Sequence, residues 1–136
     1  MTIGYFKKIK KRIGKLEWLI ERVSIDTEYD EDADVGIIGG SITFKDGSIF
    51  HFKEVLLGKR REYRFHYMDE RNNLICRWDT APHHKELKTY PYHVHLPDSV
   101  KESRPLTLID VLDKIESVVV AGLESEIWKT EGRLEE

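Results

Sequence analysis

The apolar positions of this chain change period several times, and each change marks an element. Phe6, Ile9, Ile13, Leu16 and Ile20 recur at helical spacing, which predicts an amphipathic helix over residues 4–22. Val23, Ile25, Thr27 and Tyr29 then alternate as in a strand, and Asp30-Glu31-Asp32-Ala33-Asp34 repels itself into an exposed turn. Two alternating runs, 38–44 and 49–56, flank Lys45-Asp46-Gly47-Ser48, and Asp-Gly is a strong hairpin signal. Gly39-Gly40 reads as a bulge or bend on the way in.

The stretch 61–84 is the most ordered of these patterns. Tyr63, Phe65 and Tyr67 share one face of a strand with Cys76 and Trp78 of the next, and a polar turn separates the two. A hairpin pairing Met68 with Ile75 sets Phe65 opposite Trp78 and Tyr67 opposite Cys76. The same register sets His66 opposite Arg77 and Arg64 opposite Asp79. One face is aromatic; the other holds two cations, an imidazole and a carboxylate. Residues 80–105 contain all four prolines and four of the six histidines, and read as a long surface connection without regular structure. Thr107 with Asp110 then forms a capping box for a second helix. Leu108, Leu112, Ile115 and Val119 are its buried stripe, and Gly122 its end.

These elements predict an α+β fold: a curved antiparallel sheet of about five strands, flanked by an N-terminal and a C-terminal helix, with residues 23–30 as one edge. Its 136 residues suffice for one packed domain, expected over 1–122, with 123–136 as an acidic C-terminal extension. No apolar run approaches the ~20 residues of a membrane span, and the lysine-rich start lacks the apolar stretch of a signal peptide. With a lone cysteine, Cys76, on the apolar face as a core residue, a reducing cytoplasmic setting is expected.

Charge sharpens this picture. The net charge of −3 hides segments of +5 (1–22), −6 (23–34), +3 (35–97) and −5 (98–136). The first helix carries Lys7, Lys8, Lys11, Arg12 and Lys15, either a solvated outer face or a footprint for nucleic-acid phosphates.

The candidate chemistry lies in the histidines. His83 and His84 follow Pro82, while His93 and His95 point to one side of an extended segment. Three readings of these groups with His66 and Asp79 stand side by side. They bind a transition metal, they shape a proline-rich loop through backbone hydrogen bonds, or they cleave a phosphodiester by metal-independent acid–base chemistry. In the third, His66 and His83 are the general acid and base, and Arg64 and Arg77 clamp phosphate. Asp79 orients a His or Arg, and His84, His93 and His95 are secondary candidates. No helical His pair or Cys pair fixes a metal geometry, so no metal and no cofactor is expected.

Tyr63-Arg64-Phe65-His66-Tyr67, Arg77-Trp78-Asp79-Thr80-Ala81-Pro82-His83-His84 and Pro91-Tyr92-His93-Val94-His95-Leu96-Pro97-Asp98 together resemble the TumE family, toxin components of prokaryotic type II toxin–antitoxin pairs. The resemblance runs from about residue 38 to 116. Trp78 and Thr80 depart from the family's Tyr and Asn, and Tyr92 stands where a His is common. The resemblance implies a cognate antitoxin, typically a small helix-turn-helix protein that covers the toxin, but no settled mechanism. The leading expectation is a toxin acting on RNA. The alternative is a non-catalytic protein whose basic helix and histidine loop grip nucleic acid or a partner.

Overall fold

The computed structural model describes residues 2–135, with side chains described to residue 127. Helix α1 (Thr2–Gly14) is followed by a short turn of 3-10 helix (Glu17–Leu19). Seven strands come next: β1 (Ile20–Asp30), β2 (Val35–Phe44), β3 (Ile49–Leu57), β4 (Arg60–Met68), β5 (Leu74–Asp79), β6 (His93–Leu96) and β7 (Ser99–Glu102). Helix α2 (Leu108–Glu135) closes the chain. Every strand pairs antiparallel with its sequence neighbour, so the sheet is an open meander in the order β1 to β7. The fold is α+β as expected, with seven strands rather than five.

The two extra strands come from the segment read as an irregular connection. His93–Leu96 pairs with β5, and a turn at Pro97-Asp98 folds Ser99–Glu102 back onto it. Four-residue strands interrupted by proline carry too short an alternation to stand out in sequence. The hairpin of β4 and β5 has the expected register at Arg64↔Asp79, Phe65↔Trp78, His66↔Arg77 and Tyr67↔Cys76. At its turn end Met68 pairs with Leu74, not Ile75, because the register shifts there. Asn72 takes a φ of 66° in that turn, and Asp69 ties it by accepting from the backbone N–H groups of Arg71 (2.8 Å) and Asn73 (2.9 Å).

One face of the sheet is covered and the other is open. Inner positions of consecutive strands, among them Ile38, Ile42, Phe50, Phe52, Tyr63, Phe65 and Tyr67, join one cluster with Phe6, Ile9 and Ile13 of α1 and Leu108, Leu112, Ile115 and Val119 of α2. Both helices therefore lie on the same side, where Arg12 of α1 reaches Asp113 and Glu116 of α2, each at 2.9 Å. Helix α1 ends at Gly14, earlier than the apolar spacing predicts. Leu16 and Leu19 still reach zero exposure through the 3-10 turn, and Ile20 already belongs to β1. The capping box of α2 forms as expected: the Thr107 N–H donates to Asp110 (2.9 Å), and the Asp110 N–H to the Thr107 hydroxyl (3.1 Å). Gly122 does not end this helix. A Cβ there would meet open space, no proline follows, and α2 continues to Glu135.

Gly39-Gly40 makes no bulge either, since β2 pairs in regular register with both neighbours through these residues. The need at Gly40 is closeness: a Cβ would collide with the Ser24 carbonyl of β1 and the Phe52 ring. At the far end of the inner face, Glu54 is fully buried and accepts from Arg61 (2.6 Å) and the Tyr5 hydroxyl (3.1 Å). Arg61 also donates to the Leu106 carbonyl, and the Tyr63 hydroxyl accepts from the Leu106 N–H. This network holds the entry to α2 against β3 and β4. Among the described residues no helix is long and apolar enough to cross a membrane.

Candidate functional site

Side chains of a strand alternate between faces, and antiparallel pairing lines them up across strands. The outer face of this sheet therefore carries two adjacent rows that can be read from the register. One runs Lys53–Arg64–Asp79–His93 across β3 to β6, and the other His51–His66–Arg77–His95 across the same strands. The described residues of α1 and α2 pack on the other face. A groove of about 950 Å³ opens beside the rows, lined by Lys53, Lys59, Arg60, Arg61, Arg64 and Arg77, with Glu62 and Asp79 as its carboxylates and His83 and His95 as its imidazoles. Six cations against two carboxylates make it electropositive. Arg60, Arg61 and Arg77 have acidic partners, whereas Lys53, Lys59 and Arg64 form no ion pair among the described residues.

Asp79 is the hub. It ends β5, is 5% exposed, and accepts from Arg77 Nε (3.1 Å) and the Ala81 N–H (3.0 Å). His93 Nε2 lies 2.6 Å from its Oδ1, and His95 Nε2 lies 3.5 Å from its Oδ2. Pairing of β6 with β5 brings both imidazoles there, since His93 faces Asp79 and His95 faces Arg77. The loop after β5 delivers a third. The His84 ring centroid lies 4.9 Å from that of His93 and 5.4 Å from that of His95.

Contacts of the long connection explain why it returns there. The Thr89 hydroxyl donates to the Tyr92 carbonyl (2.7 Å) and accepts from the Ser103 N–H (3.2 Å), while the Tyr92 ring stacks near Tyr63. His93 Nδ1 donates to the Pro91 carbonyl at 2.9 Å, next to a cis Tyr90–Pro91 peptide.

His66 stands on the open face between His51 and Arg77. Partial burial, then the charges of Arg77 and Arg64 and the neighbouring His51, hold its imidazole below the ordinary value. Its Nδ1 is buried with no hydrogen-bond partner among the described residues. Burial and Arg77 also lower His95. Cys76 lies on the inner face, and burial raises its thiol to about 11, which fits a packing role.

Of the expected site residues, Arg64, Arg77, Asp79 and His83 line the one groove, with His66 in the adjoining row. His83 is exposed at the rim, whereas the secondary candidates His84, His93 and His95 form a cluster against Asp79. Lys7, Lys8 and Lys11 are exposed on α1, which packs on the opposite side of the sheet, Lys15 is exposed just after it, and Arg12 is engaged with α2. The basic helix and the histidines therefore belong to different surfaces. Sequence reading missed His51 and Lys53. The signal was present: they alternate with Phe50 and Phe52, and the Gly58 turn fixes β3 against β4.

The fold and this face define a small α+β protein whose open meander sheet gathers cations and imidazoles around one buried carboxylate. A family model described as toxin TumE matches residues 9–123, and the chain belongs to that family. No curated protein and no solved structure matches it.

Proposed function

We propose that this TumE-family chain is the toxin of a toxin–antitoxin pair, held inactive by a cognate antitoxin, and that it acts on RNA at the open face of its sheet. The observation that carries this reading is the pair of adjacent cross-strand rows, which present Lys53, Arg64, His51, His66 and Arg77 together beside the groove. Unpaired cations on an uncovered sheet suit a phosphodiester backbone, whose affinity is dominated by such charges.

Cleavage of RNA needs a base for the 2′-hydroxyl proton, an acid for the leaving oxygen, and cations for the charge that grows on the phosphorus oxygens. His66, whose imidazole burial and then its cationic neighbours hold below the ordinary value, suits the base. His83 at the groove rim suits the acid, Arg64 and Arg77 the phosphate clamp, and Asp79 orients Arg77.

Induced expression is expected to arrest growth, and the purified protein to shorten a labelled single-stranded RNA. His66→Ala with His83→Ala is expected to abolish both while circular dichroism stays native. A folded double variant as toxic as the parent overturns the acid–base assignment. RNA that is retained but never shortened marks a binding protein instead.

A further inference from the structure

We propose that His84, His93 and His95 form a site for one divalent transition metal ion of the zinc class, joining the loop after β5 to β6. The three residues offer ligand atoms that all lie within 4.8 Å of one another. Imidazole nitrogens suit zinc, copper, iron and nickel, and a three-histidine set leaves a fourth position for water.

The second observation is at His93. Its Nδ1 faces the Pro91 carbonyl, which can only accept, so the proton of a neutral ring is on Nδ1. Nε2 is the ring nitrogen left for a ligand, in a side chain 1% exposed, and has no hydrogen-bond partner among the described residues. It nevertheless lies 2.6 Å from Asp79 Oδ1, without the alignment of a hydrogen bond. A ring nitrogen and a carboxylate oxygen that close need a cation between or beside them, a proton or a metal ion. A metal ion on Nε2 supplies that cation, and the Asp79 carboxylate offsets its charge.

The other two rings are set in the same manner. His84 Nδ1 lies 3.2 Å from the Glu86 carboxylate, which leaves its Nε2 free, and His95 Nε2 lies 3.5 Å from Asp79 Oδ2. Metal-bound imidazoles characteristically direct their second nitrogen to a carbonyl or carboxylate, which fixes the ring. Tyr92 stands where the family commonly has His, which takes one imidazole from the His93–His95 segment. The third comes from the preceding loop instead.

This proposal stands apart from the RNA reading, and either can fail alone. Titrating the purified full chain with cobalt(II) chloride is expected to show one equivalent bound, with the intense visible absorption of a tetrahedral site, displaced by zinc(II) chloride. His84→Ala, in the loop, is expected to weaken binding at least ~100-fold, and His51→Ala to leave it unchanged. His95→Asn supplies a second ligand deletion should His84→Ala fail to fold. Weak absorption typical of octahedral cobalt, or equal affinity in folded His84→Ala and wild type, overturns the site.

Discussion

His66 shows how one residue's neighbours set its chemistry. Arg77 faces it from β5, His51 from β3, and Arg64 lies two positions away on β4. Partial burial disfavours a positive charge there most, and these three neighbours oppose it further. A histidine whose folded value is depressed leaves the unfolded chain binding more protons on acidification. Its contribution to stability is therefore full above the unfolded value near 6.5 and is lost as pH falls through the folded value. Urea midpoints at pH 7.5 and pH 5 are expected to fall more for wild type than for His66→Gln. Equal losses in the two proteins would assign the acid sensitivity to other groups.

Strands in this molecule answer to two demands, register and closeness of approach. The β4–β5 hairpin was legible in the chain because its partners are neighbours and its side chains repeat every two residues, so a local pattern decides which groups meet. Gly40 answers the second demand. Its missing side chain lets β2 sit against the Ser24 carbonyl of β1 while Phe52 packs over it. Gly40→Ala is expected to destabilise the protein by about 1–3 kcal/mol, as overpacking does, read as a lower urea midpoint at unchanged slope. An unaltered midpoint would show that β1, as an edge strand, moves aside freely. Short β6 and β7 were not legible, because four residues beside proline give no period to recognise. Their place is set by Thr89 bridging to Tyr92 and Ser103, contacts distant in sequence from the strands they steady.

At the scale of the whole molecule, the two basic surfaces are separated by the sheet. Lys53 and Arg64 face outward, while the lysines of α1 belong to the helical layer behind. RNA binding at the open face makes a distinct prediction for each. Removing Lys53 and Arg64 together is expected to weaken RNA binding and to lower its salt slope by roughly 1.4, at ~0.7 per phosphate contact on a single strand. Replacing Lys8 and Lys11 by alanine is expected to leave both unchanged. Fluorescence anisotropy across a salt series checks the pair. A slope that falls only in the α1 variant would move the RNA to the helical side.

The sequence alone determined the α+β class, the meander through its Asp46-Gly47 hairpin, the capped second helix, and a polar face holding Arg64, His66, Arg77 and Asp79. These follow from period, turn chemistry and pairing of adjacent strands, all of which act over a few residues. Only the tertiary structure decided that both helices cover one face, and that His84 rather than His83 meets His93 and His95. The second outcome depends on where a 13-residue connection from Thr80 to Tyr92 returns to the sheet. Packing distant in sequence fixes that return: the Tyr92 ring on Tyr63, Thr89 on Ser103, and β6 on the free edge of β5.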